Sequence, residues 1–179
     1  MGRIKSYLPV KFFTAITFTP MAPVNEAQRL LEKVLLAIED VSPSYDFGQF
    51  THYYADEMGT DLKKKILSFQ ELKPAEMLPE IKMATNEIEN NFLIEQRRQI
   101  NLDPGYVCAA RVVLATTKDY DHRIYLNRGI FADLHYRFRK GHFQPNEWTY
   151  PDYRQPKIIE YFERVRNNYL QQLKNWNID

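Results

Sequence analysis

"HRIYLNRGIFADLHYRFR", residues 122–139, decides what kind of fold this chain can adopt. Two short runs, His122 to Leu126 and Ile130 to Arg139, flank Asn127-Arg128-Gly129. Gly129 supplies the positive-φ residue that a three-residue hairpin turn requires. In the second run Ile130, Ala132, Leu134, Tyr136 and Phe138 alternate with Phe131, Asp133, His135, Arg137 and Arg139. That period of two predicts an antiparallel strand with one apolar face and one wet face.

Upstream, Val10 to Thr19 is rich in β-branched and aromatic residues with apolar side chains at both parities, as in a central strand covered on both sides. Pro20 and Pro23 end it. Asn25, with Gln28 three residues on, reads as a capping box. It opens a helix whose stripe is Ala27, Leu30, Leu31, Val34, Leu35 and Ile38. Val41 to Gly48 reads as a short strand or extended edge, and Lys63 to Phe69 as a strand. Pro74 begins a second helix that buries Leu78, Ile81, Thr85, Ile88 and Phe92 and ends near Glu95.

Ile100 and Leu102 suggest a short strand running into a Pro104-Gly105 turn. Over Tyr106 to Thr116 the signals conflict. Ala109, Ala110 and Leu114 lean towards helix while Val107, Val112 and Val113 lean towards strand, and helix is the expectation. Beyond the hairpin, Lys140-Gly141 turns the chain, "QPNEWTYPDYRQP" (residues 144–156) is a proline- and aromatic-rich loop, and a last helix runs from Lys157 to about Leu173. No internal repeat or linker divides the chain. The order of elements predicts one α+β domain over residues 1–179, a mainly antiparallel sheet with helices packed on one face.

Composition narrows the function classes. A net charge of +1 argues against a general polyanion binder, while leaving room for a local basic patch. The single cysteine, Cys108, can form no disulfide within the chain and no thiolate zinc site; its apolar neighbours mark it as a core residue. No stretch approaches the ~20 apolar residues of a membrane span. Met1 to Ser6 formally fits an N-myristoylation pattern, a short permissive match read as chance, and no apolar signal segment follows it. The expectation is a soluble cytoplasmic protein without membrane association.

Acids, bases and aromatics concentrate between residues 101 and 154. On the hairpin, Asp133, His135, Arg137 and Arg139 would project one way along about 20 Å of strand, with Arg123 and Tyr125 facing them. Such a platform could offer guanidinium groups to a phosphate or carboxylate and a tyrosine for stacking. It could equally be a solvated face with a cross-strand pair such as Asp133 with Arg123. Asp103 reads either as the acceptor of a tight turn or, with Asn101, as a ligand to a metal or ribose. Lys118-Asp119-Tyr120-Asp121-His122 could hold a divalent cation such as Mg²⁺, or activate a water through His122; a short acidic loop gives the same string. Trp148, Tyr150 and Tyr153 could lid a cleft or anchor the last helix.

Blocks spread through the chain resemble a known prokaryotic family, the "domain of unknown function forty-four-sixteen". They are Tyr53-Tyr54 with Glu57-Met58-Gly59, Ser68-Phe69, Thr85-Asn86-Glu87, Asn101 to Tyr106, Thr117 to Tyr120, His122 to Leu126, Arg137 to Gly141 and Trp148 to Arg154. Some members carry the label "GTP-binding protein". This sequence has no G-x-x-x-x-G-K-[ST] phosphate loop and only 6 glycines, and Thr117-Lys118-Asp119 is a faint echo of a guanine-reading motif.

The residues together point to a small anionic ligand, phosphate-bearing or nucleotide-like. Lys118, Arg123 and Arg137 would hold the anion, with Tyr125, His135, Arg139, Trp148, Tyr150 and Tyr153 around it. Asp103, Asp119 and His122 would serve acid–base or metal chemistry if the protein is an enzyme. The rivals are an RNA-binding module using the Arg/Tyr sheet face and a structural or partner-binding domain.

Overall fold

The computed structural model describes residue 3 and residues 7–176; the rest of the Met1–Ser6 pattern lies outside the described residues. In chain order the first elements are β1 (Val10–Phe18), α1 (Val24–Leu35), β2 (Ile38–Val41), β3 (Tyr45–Asp46), α2 (Ala55–Met58) and β4 (Lys63–Lys73). Then come α3 (Leu78–Asn90), the small hairpin β5 (Leu93–Ile94) and β6 (Arg97–Arg98), β7 (Ile100–Val107) and β8 (Arg111–Thr116). The chain ends with β9 (Arg123–Asn127), β10 (Ile130–Arg139), β11 (His142–Pro145) and α4 (Pro156–Lys174).

One large sheet carries the fold, in the order β11-β10-β8-β7-β1-β4-β2, with β3 also on β4 and β9 also on β10. Its ladders are antiparallel. The fold class is therefore α+β, as the sequence predicts. Within it, β1-α1-β2-β4-α3-β7 with spatial order β7-β1-β4-β2 is a split βαβ, or ferredoxin-like, unit. Strands β8 to β11 extend that unit from the β7 edge.

Alternation on the strands sorts the core into two layers. Phe12 and Ile16 of β1 pack with Leu31 and Leu35 of α1 and with Leu78 and Ile81 of α3. Their neighbours Phe13 and Ala15 point the other way and pack with Ile158, Phe162 and Val165 of α4. Both faces are thus covered, with α1 and α3 packed on one and most of α4 on the other, so the expected packing of helices on a single face is corrected: β1 is apolar at both parities and needs a cover on each side. This explains why β1 is buried at every position up to Thr17.

Several local expectations need correction. Tyr106 to Thr116 is not helical: it holds the end of β7, a turn, and β8, paired as Tyr106 to Val113 and Val107 to Val112. The valines decide the conformation, since both faces of this ladder are buried and β-branched side chains fit that surface. Pro104-Gly105 is not a turn but lies inside β7, opposite Thr14 and Phe13. Pro104 is tolerated there because it lies just past the last β7–β8 pair, at Gly105 and Leu114. The main hairpin turn has two residues, Arg128 (φ 53°) and Gly129 (φ 75°), the type I′ geometry that matches strand twist. Helix α1 begins at Val24 with no side-chain cap, so Asn25 is inside it, and α3 stops at Asn90, short of Glu95.

The largest correction concerns β10. Leu134 pairs with Val113, but Tyr136 pairs with Val112, which leaves His135 as an inserted bulge residue. One extra residue exchanges the faces. Ile130 therefore packs with the α1/α3 layer and Tyr136 with the α4 layer. The face expected to be wet instead buries Asp133 and His135 completely, and Leu134 and Phe138 are only half-buried.

Candidate functional site

A cleft of about 250 Å³ opens on the α4 face of the sheet. The sheet contributes Lys64 from β4, Asp103 from β7 and Arg123 from β9. The segment between β3 and β4 adds Phe47, Phe50, Thr51, Tyr53 and Tyr54. Lys118 and Tyr120 enter from the β8–β9 loop, and Tyr150, Pro151 and Asp152 from the turn before α4. Three cationic groups, two carboxylates and six aromatic rings therefore share one recess.

Lys64 is the inward member of the Lys63–Lys65 run. Its ammonium donates to Asp152 Oδ2 at 2.8 Å, and the two side chains are 3% and 2% exposed. Tyr45 donates to the same oxygen at 2.9 Å. The ammonium also lies 4.6 Å from the Phe47 ring centre and 4.9 Å from that of Tyr153, so rings stand in for part of its lost hydration.

Asp103 accepts from Asn101 Nδ2 at 2.8 Å and faces Lys82 Nζ at 3.4 Å. Burial acts to raise its carboxyl, but the ammonium groups of Lys82 and Lys64 and the Asn101 amide outweigh that and hold it below its ordinary value. Nearby, burial raises the phenols of Tyr54 and Tyr150, with the Asp103 charge adding to the effect. Both remain protonated hydrogen-bond donors. The segment carrying Tyr53 and Tyr54 is tied down by Glu57, which receives Arg98 Nε and Nη2 at 2.6 and 2.7 Å in a forked pair.

Arg123 is a buttress more than a free anion ligand. Its Nε donates to Asp133 Oδ2 at 2.8 Å, with side chains 2% and 1% exposed. Its Nη1 donates to Lys118 O at 3.0 Å and Thr116 Oγ1 at 3.3 Å, and its Nη2 to Tyr150 Oη at 3.2 Å. The cross-strand pair of Asp133 with Arg123, the plainer alternative in the sequence, is present. Lys118 differs. It is exposed, and among the described residues its ammonium hydrogen-bonds only to the Tyr53 hydroxyl, lying 3.8 Å from that ring's centre.

Behind Arg123 lies a buried polar cluster. His122 Nε2 is 3.7 Å and His135 Nε2 3.6 Å from Asp133, both beyond hydrogen-bonding distance. His135 is fully buried against the Tyr150 and Tyr153 rings, with neither ring nitrogen partnered among the described residues. Burial, with the charges of Lys64 and Arg123, holds its imidazole well below 6.5, so it stays neutral. Below pH 6.5 the unfolded chain takes up a proton at His135 that the folded chain refuses, so stability falls as pH falls. The slope from this group is at most about 1.4 kcal/mol per pH unit. His135→Phe, which suits the aromatic cage, is expected to flatten the decline between about pH 6.5 and pH 5 in urea unfolding.

Of the residues singled out in the sequence, the cleft gathers Asp103, Lys118, Arg123 and Tyr150. It does not gather Asp119 or His122; His122 stacks on Trp148 with ring centres 4.9 Å apart. Tyr125 and Arg139 are exposed outside it, and Arg137 lies further along β10, opposite Arg111. Tyr153 and His135 are core residues behind the wall, and Trp148 donates to Leu134 O at 2.8 Å. Among the described residues no group of three His, Cys, Asp or Glu side chains is placed to hold a metal ion, so Asp119, Asp121 and His122 are not gathered into one such cluster. Sequence reasoning missed Lys64, Asp152 and the rings of residues 47–54. One signal was available for Lys64, since its same-face neighbour two residues on is the apolar Ile66, which marks an inward-pointing charge.

Among the described residues no helix is long and apolar enough to cross a membrane. No curated protein and no solved structure matches the chain. A family model does, over residues 8–169, a span that takes in the cleft and both layers of the core; the chain belongs to the family described as Domain of unknown function (DUF4416).

Proposed function

We propose that the protein binds a small planar anion, phosphate-bearing or nucleotide-like and of mononucleotide size at most, in this cleft. The observation that carries the reading is the pairing of Lys118, exposed and bound to no carboxylate among the described residues, with a recess walled by aromatic rings. Lys64 adds to it, because its ammonium spends one hydrogen bond on Asp152 and keeps further donors. Rings would hold a flat ligand, the ammonium groups its charge, and Asp103 would accept from a ligand donor. An RNA platform has less support: Asp133 and His135 are buried and Arg123 is spent on Asp133, so the Arg/Tyr strip is not one exposed surface.

A thermal-shift panel of nucleoside monophosphates, GTP, aromatic carboxylates and inorganic phosphate tests this. A ligand at about 100 times its Kd stabilises the folded state by about 2.7 kcal/mol. At least one planar anion is expected to raise the melting temperature, with GTP showing no preference over the others. Lys118→Ala should weaken that ligand about tenfold, a loss of about 1.4 kcal/mol, and leave the unliganded protein unchanged. Absence of any shift across the planar anions, or a shift indifferent to Lys118→Ala, overturns the reading.

A further inference from the structure

The most anomalous surface lies outside the cleft, on β9. Ile124, Tyr125 and Leu126 are consecutive and 70%, 59% and 40% exposed. The strand pairs only with β10, so among the described residues its outer edge has no partner. Natural edge strands are usually blunted by proline, lysine or inward charges. The strand contains no proline or lysine, and its one inward charge, Arg123, sits at its first position, leaving Ile124 to Leu126 unblunted.

We propose that β9 docks against β9 of a second copy of this chain, extending the sheet through an antiparallel two-fold pairing. Geometry restricts the arrangement. A two-fold axis that makes edge strands antiparallel stands normal to the sheet and keeps each face on its own side. Facing residues must then share a face, which centres the pairing on Ile124 or Tyr125. Either centre puts apolar side chains of the two copies together. Either also brings Asp121, which is 99% exposed, within one position of Arg128 of the other copy, at both ends of the pairing. Opposite charges at the two ends favour this partner over a generic apolar one. The regular part of the edge is short, since the β9–β10 register slips at Leu126. The contact is therefore below the roughly 1,200 Å² of a stable interface and is a weak, concentration-dependent dimer.

Sedimentation velocity from about 5 to about 500 µM reads this directly, spanning the affinity such an area supports. The wild-type chain is expected to shift from monomer to dimer across the range. Ile124→Lys, at a position exposed enough to leave the fold intact by circular dichroism, should remain monomeric throughout. Asp121→Lys should raise the dimer Kd several-fold, and adding Arg128→Asp should restore it. A wild-type monomer at every concentration, a dimer indifferent to Ile124→Lys, or charge exchange that restores nothing would each overturn the proposal.

Discussion

Arg123→Ala is expected to destabilise the unliganded protein by about 3–5 kcal/mol, the range for breaking a buried ion pair from one side. The loss is more than one contact. Asp133 is 1% exposed, and among the described residues Arg123 supplies its only close cation, at 2.8 Å. Truncation leaves a buried carboxylate beside two imidazoles that do not reach it. It also releases Lys118 O and Thr116 Oγ1, which the same guanidinium holds together at the entrance to β9. The companion Arg123→Met/Asp133→Leu removes both charges and should recover most of the loss, since apolar replacement of a whole buried pair is often neutral or better. Urea unfolding measures both. A single-variant loss under about 1 kcal/mol would mean that Arg123 behaves as a surface residue.

Gly105→Ala should cost at least the upper end of the about 1–3 kcal/mol typical of overpacking. A Cβ on Gly105 would lie 2.3 Å from Val113 O and 2.5 and 2.8 Å from the Phe13 ring. Neither neighbour can yield cheaply. Val113 O belongs to the backbone of the adjoining strand, and the Phe13 ring is fully buried edge-on to Phe162 at 4.8 Å. The glycine is not in the left-handed region, so the cost is steric rather than conformational. Phe13→Leu added to Gly105→Ala opens that space and should regain part of the melting temperature, which a strained backbone would not.

These positions also show where the sequence was legible. Alternating or continuously apolar segments declared themselves: β1, the stripes of α1 and α3, α4, and the existence of the β9–β10 hairpin. Period and burial act within one element there, so a single chain carries the signal. The β10 bulge did not, because His135 is inserted relative to a neighbour, β8, and pairing is invisible along one strand. Gly105 reads as a turn because the reason for glycine, the ring of Phe13, is 92 residues away in sequence. The cleft was half legible for the same cause. Asp103, Lys118, Arg123 and Tyr150 lie in the charged and aromatic stretch of residues 101–154, whereas Lys64 and the rings of residues 47–54 join them only through β4 and its pairing.

The two-layer core has a consequence for how this chain is made. The split βαβ half supplies most of its α1/α3 layer from residues that emerge early during synthesis, with Val113, Ala115, Ile130 and Tyr169 added later. Its other layer cannot close, because Phe13, Ala15, Ile66 and Val107 are covered by Ile158, Phe162 and Val165, near the far end of the chain. Until those residues leave the ribosome, a broad apolar sheet face is open to water and to other nascent chains. Folding of half the core is therefore obligatorily late. A stalled or prematurely terminated product would be a sticky fragment rather than a smaller working domain, and α4, which supplies no group to the cleft, is what separates the two fates.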